Sequence, residues 1–175
     1  MSYIALLSKY IVTIILLIGA IGKLSDVKQF RETLISSIDM PHSLTLILAF
    51  SVIAIEFALA IFFLTLPENA FIISIATFFL FLAFSVFLLF NLLKNRIIQC
   101  NCFGRSEDPV NWWDLIRNTI ILGLCLVVAF YYNPGLSMPY NLKLLVIGCS
   151  LIWVQFLINL PLIASILRIN FNRVS

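Results

Sequence analysis

Five long apolar runs separated by short polar segments dominate this chain, at about Tyr3–Gly22, Leu44–Leu66, Ala70–Leu93, Trp112–Tyr132 and Leu142–Leu167. Each is long enough to cross a hydrocarbon core, which takes roughly 20 helical residues. Backbone in lipid must satisfy its own hydrogen bonds, and unalternating runs of this length do not fit barrel strands, so each reads as a helix. The interruptions agree. Pro67-Glu68-Asn69 reads as a tight hairpin, Asn133-Pro134-Gly135 as a turn, and Asp108-Pro109 as an N-cap with proline at the first helical position. The expected fold is an all-α, polytopic transmembrane helix bundle forming a single domain over residues 1–175.

The segment from Lys23 to Ile38 is too polar to enter lipid, yet Val27, Phe30, Leu34 and Ile38 recur at helical spacing. That pattern predicts an amphipathic helix lying in the headgroup region, with a plain connector as the simpler alternative. On the first reading it forms a lid over the loop between the third and fourth runs, which leaves the bundle on the same side. Lys23, directly after the first run, reads as a side chain snorkelling to the interface. Lys9 followed by an apolar run ending in Gly19-Ala20-Ile21-Gly22 also fits a secretory signal, but the four later runs need membrane insertion in any case.

Composition strengthens the membrane assignment: 62% of residues are hydrophobic, 11% are charged and the mean hydropathy is +1.11. The net charge of +3 is small and sits in loops flanking the runs, so nothing points to nucleic-acid binding. No glycine-rich phosphate loop or Ser-His-Asp set is recognisable.

Chemistry concentrates in the one sizeable polar loop, at Cys100-Asn101-Cys102-Phe103-Gly104. A disulfide across Cys-X-Cys closes a very small ring and makes a poor staple, but a readily exchanged bridge. Arg96 and Arg105 place positive charge nearby in sequence, which favours the thiolate that exchange requires. Two other readings stand beside this one: incidental loop cysteines, or half of a metal site. The chain offers only His42 and a few carboxylates as helpers, short of the four ligands of a structural zinc site; two thiolates alone suit a soft monovalent metal. Cys125 and Cys149, in apolar helices, read as small buried hydrophobes, and His42 as a helix-entry residue.

Trp112 and Trp113 open the fourth run as interface anchors. Arg117 lies one to two turns inside it and needs a partner, with Asp114 the nearest acid in sequence. Glu56 stands near the middle of the second run, on a face shared with Ala49, Ile53 and Ala60. An ionisable group at that depth marks a functional site or half of a buried pair. The favoured pairing is Glu56 with Arg117; the alternative is a protonated Glu56 hydrogen-bonded to a neighbouring helix.

These residues together resemble the MauE branch of the DoxX-like membrane proteins. The likeness lies in Gly19-Ala20-Ile21-Gly22-Lys23-Leu24-Ser25-Asp26 with Phe30, in Glu56, in Cys100-Asn101-Cys102-Phe103-Gly104, and in Trp112-Trp113 through Arg117-Asn118. It covers about residues 4–132 and implies a four-helix core, leaving residues 142–167 as an added fifth span. The resemblance implies a redox protein of a bacterial inner membrane, working with a thioredoxin-like partner in forming or maintaining disulfides of exported proteins; other membrane subunits are a further candidate class of partner. Maturation of methylamine dehydrogenase is the family's example. It implies that Cys100 and Cys102 carry electrons, that Arg117 favours the thiolate, and that Glu56 holds Arg117 or relays protons. By analogy with other four-helix membrane oxidoreductases a quinone is a candidate electron acceptor, although no residue identifies its site. A non-catalytic scaffold or cargo-binding subunit is the competing role within the same wider group.

Orientation divides the readings. Lys23, Lys28, Arg31, Lys94, Arg96, Arg105, Arg168 and Arg173 lie on the side of the cysteine loop, against Lys9 and Lys143 opposite, which places that loop in the cytoplasm. The role implied by the resemblance places it on the exported face, and that is the orientation expected here.

Overall fold

The computed structural model describes residues 2–37, 42–94, 111–135 and 139–174, the side chains of residues 2, 36, 37, 42, 43, 161 and 164–174 excepted. Among the described residues, six α-helices follow in order: α1 Ser2–Ser25, α2 Val27–Ser37, α3 His42–Thr65, α4 Ala70–Leu93, α5 Trp112–Tyr131 and α6 Tyr140–Val174. No strand occurs among the described residues. All but α2 are long and apolar enough to cross a membrane, so the chain is an all-α polytopic bundle.

The turns follow from local chemistry. Pro67–Asn69 forms a single 3-10 turn, closed by a 3.1 Å bond from the Asn69 N–H to the Leu66 carbonyl. After α5, the Gly135 N–H donates to Asn133 Oδ1 at 3.0 Å, the side chain substituting for a backbone turn bond. The fourth run begins differently from expectation. Asp108-Pro109 lies outside the described residues, and α5 starts at Trp112 behind an Asn111 N-cap. Asn111 Oδ1 accepts the Trp112 N–H at 2.7 Å, while Asp114 Oδ2 accepts the Asn111 N–H at 2.9 Å. This reciprocal capping box satisfies donors that the first turn would otherwise leave open.

The first helix is the centre of the bundle. About 56% of the α1 span is buried, against 33% or less for each of the others, because α1 packs on α2, α3, α5 and α6. Its Val12, Ile15 and Leu16 meet Ala60 and Phe63 of α3, Ile121 and Val128 of α5, and Val154 and Leu157 of α6 in one core. Lipid tails are as apolar as these side chains, so close packing rather than release of water holds the helices together. The fifth span is thus built into the bundle through α1 and α5. It is also longer than its apolar run, extending from Tyr140 to Val174.

The amphipathic helix is present as α2, entered through Asp26, whose Oδ1 accepts the Gln29 N–H at 3.2 Å. Phe30 and Leu34 are buried against Ala49 of α3, with Leu48, Val52 and Phe87 around them. Its apolar face is therefore occupied by protein rather than acyl chains. Ile38 lies outside the described residues.

Two side chains depart from expectation. Lys23 is 2% exposed and does not snorkel, because its face of α1 turns toward Glu56 of α3, while Ile21 and Leu24 on either side of it remain exposed. Cys149 is exposed rather than buried, since α6 turns Val146, Ser150, Val154 and Leu157 inward and Cys149 lies off that line. Cys125 is buried as expected.

Candidate functional site

The face of α3 that carries the acid is buried throughout: Ala49, Ile53, Glu56 and Ala60 are each at most 7% exposed. Small residues on either side of Glu56 let α1 approach closely enough to bring a partner to it. That partner is Lys23. Its Nζ donates to Glu56 Oε1 at 2.7 Å and to Oε2 at 2.8 Å, and both side chains are 3% exposed. The Lys23 ammonium also lies 5.1 Å from the Phe84 ring centre and 5.8 Å from that of Phe30. Those π faces supply further attraction to a desolvated cation. Residues from α1, α2, α3 and α4 thus meet at one buried charge pair.

This corrects the favoured pairing of Glu56 with Arg117. The flexible lysine stem at the end of α1 reaches inward and occupies both carboxylate oxygens. Arg117 takes its partner from its own helix, where its Nη2 sits 3.2 Å from Asp114 Oδ1. Three residues apart on α5, the two share a face, as the sequence allowed for Asp114. Asp114 has two duties: Oδ1 faces Arg117 and Oδ2 holds the Asn111 N–H. Arg117 is 5% exposed and close enough to Lys23 for the two cations to repel each other. Two acids and two bases therefore form a cluster of zero net formal charge, buried at Lys23, Glu56 and Arg117 and partly exposed at Asp114.

The cluster lies toward the end of the bundle from which residues 95–110 depart. Antiparallel packing of α1 on α5 sets this register, because Lys9 near the start of α1 meets Tyr132 at the end of α5, through a 3.1 Å bond to Tyr132 Oη. Lys9 Nζ also lies 4.6 Å from the Tyr132 ring centre. Partial burial pushes the Tyr132 phenol up from its ordinary value, keeping it a neutral hydrogen-bonding group. At the cysteine-loop end, Asn91 is 1% exposed and donates to the Phe87 carbonyl at 2.9 Å, three residues before α4 gives way at Lys94. Asn118, beside Arg117, is also buried.

Of the four residues singled out for chemistry, Glu56 and Arg117 fall in this cluster, while Cys100 and Cys102 lie outside the described residues. The sequence reading passed over Lys23 as a site residue. The signal was available: a mid-span carboxylate demands a buried cation, and Lys23 is the basic residue at the end of the apolar run that precedes it. Pairing also removes Lys23 from the charge count across the membrane, since a buried, neutralised lysine is not a loop cation.

Comparison with known proteins adds to this geometry. A family model described as methylamine utilisation protein MauE matches residues 1–131, a stretch containing every member of the charge cluster. The methylamine utilization protein MauE of Paracoccus denitrificans is 28% identical over 113 residues. That match covers 63% of this chain and 60% of the relative, so the chain spans well under the whole of that protein. No solved structure matches the chain. With α1 to α5 and their buried charges falling within the matched residues, the chain belongs to the MauE family of integral membrane proteins.

Proposed function

We propose that this protein exchanges thiol and disulfide equivalents with a thioredoxin-like partner through Cys100 and Cys102, at the surface of a bacterial inner membrane, in support of disulfide formation in exported proteins. The observation that carries the reading is the neutral four-charge cluster next to the end of α5 that receives the cysteine-bearing segment. Charged groups inside a membrane bundle are costly, and they are retained where function or precise positioning requires them. The Cys-X-Cys spacing supplies the chemistry and the family membership its setting.

In the exchange, a partner thiolate attacks one sulfur of a Cys100–Cys102 disulfide, giving a mixed disulfide and releasing the other sulfur as a thiolate. The partner's second thiolate then resolves the mixed bond. The partner leaves oxidised, the pair is left as a dithiol, and two electrons have moved. Here Arg117 contributes positive potential near the start of α5, and Glu56 with Lys23 fixes α3 against α1. A quinone is the class of acceptor that suits reoxidation in a bilayer, but no described residue marks its site and no step is assigned to it.

Substituting Cys100→Ser or Cys102→Ser is expected to abolish exchange, and the remaining cysteine to trap a mixed disulfide with the partner. A membrane-impermeant thiol reagent on intact cells tests the exported orientation; labelling only after lysis excludes it. A second reading, a non-catalytic scaffold, draws on the Lys23–Glu56 and Arg117–Asp114 pairs, which join side chains of the helices themselves. In that case both serine variants keep function, whereas Glu56→Ala or disruption of α2 removes it.

A further inference from the structure

The outer face of α6 has no role in the bundle, yet it is not a plain lipid-facing surface. Asn141, Leu145, Gly148, Ile152, Gln155 and Asn159 follow one another at alternating steps of four and three residues. On a helix advancing about 100° per residue they form one stripe, diametrically opposite Val146, Ser150, Val154 and Leu157, which face the core. Leu145 and Ile152 are 60% and 73% exposed. Alternating steps of four and three are the seam spacing by which one helix packs against another.

Two observations beyond the spacing point to an occupant. Gln155 follows Tyr140 by 15 residues, which at 1.5 Å per residue is about 22 Å along the helix, within the hydrocarbon core. Its side-chain amide is exposed and makes no hydrogen bond among the described residues, and its own helix adds the amide of Asn159 one turn further on. A bare carboxamide in acyl chains lacks every bond that water would have given it. Gly148 offers the complementary feature: a Cβ added there meets nothing within 4 Å, so the absence of a side chain serves no contact inside the bundle and leaves room for a helix outside it.

We infer that α6 docks against α6 of a second copy of this chain, Gln155 against Gln155. Copies inserted with the same topology can pair these helices only in parallel, about a two-fold axis along the membrane normal, and a parallel pair places identical residues opposite one another. A lysine or glutamate would repel its own image. A carboxamide carries both donor and acceptor and so bonds to its image directly, in a medium where such bonds hold helices together. This assigns a role to the span that follows the residues matched by the family model.

The test uses the full chain in lipid vesicles, with donor- and acceptor-labelled copies mixed. Energy transfer is expected for the wild type, and Gln155→Leu is expected to raise the dissociation constant by roughly three- to twenty-fold, the range of interhelical polar contacts in membranes. Gly148→Leu is expected to weaken pairing while leaving helix content unchanged by circular dichroism, because the bundle has space for it. In membranes, with the four native cysteines replaced by serine, Ile152→Cys is expected to give a covalent dimer on mild oxidation; Trp153→Cys, about 100° away, is not. A monomeric wild type, energy transfer indifferent to both substitutions, or an Ile152→Cys adduct found only with a different polypeptide would each overturn the inference.

Discussion

Removing one member of the Lys23–Glu56 pair should cost more than removing both. At 2.7 Å and an effective dielectric of about 20, the pair attracts by about 6 kcal/mol, and withdrawing both ions from water offsets most of that. The net contribution is therefore small, but either ion left alone is a charge at 3% exposure that has lost its 2.7 Å counterion. Glu56→Gln, which strands the ammonium between Phe84 and Phe30, is expected to destabilise the bundle by about 3–5 kcal/mol, and Lys23→Met by a similar amount. The double variant should be less damaging than either single one, giving a coupling energy of at least about 3 kcal/mol in a double-mutant cycle. Reversible unfolding of the purified protein in mixed micelles, followed by circular dichroism across a denaturing-detergent series, measures the cycle. Single substitutions that cost under about 0.5 kcal/mol, or a double variant whose loss equals their sum, would refute the claim that these charges neutralise each other in the folded bundle.

Other expectations follow from neighbouring contacts. Asp114→Ala removes the capping box and the Arg117 partner together and should cost about 2–3 kcal/mol, whereas Asp114→Asn, which keeps one acceptor, should cost less; the same unfolding series separates them. Tyr132→Phe deletes the acceptor of the Lys9 bond but keeps the ring beneath the ammonium, so a loss near 1 kcal/mol is expected, and a loss above about 3 kcal/mol would mean that the hydroxyl holds more than Lys9. If α2 binds through protein contacts, Phe30→Ala should destabilise α2 on α3 by about 3–5 kcal/mol, visible as faster amide exchange in Val27–Ser37; exchange unchanged from wild type would place that face in lipid instead.

Much of the architecture was legible because the bilayer restricts the options. A run of 20 or more apolar residues has one available fold in lipid, so five spans, the hairpin at Pro67–Asn69 and the amphipathic stretch after the first span emerge from hydropathy and turn chemistry. The bond between Arg117 and Asp114 was equally accessible, since helix geometry alone brings residues three apart together. The start of α5 was not, because Asp108-Pro109 and Asn111 with Asp114 both make acceptable caps and local sequence does not rank them.

By itself, then, the sequence determined the number and type of elements, their apolar character and the need for Glu56 to find a partner. Only the tertiary structure decided which partner that was. Period and depth along a helix say how far a charge lies from the interface, but not which helices enclose it. Lys23 could equally have reached water had α1 lain at the edge of the bundle; placed at its centre, with α2 and α4 closing over it, the ammonium has Glu56 as its counterion. The same placement turned α6 so that Gln155 faces outward, a consequence of packing that no periodicity in the fifth run distinguishes from burial.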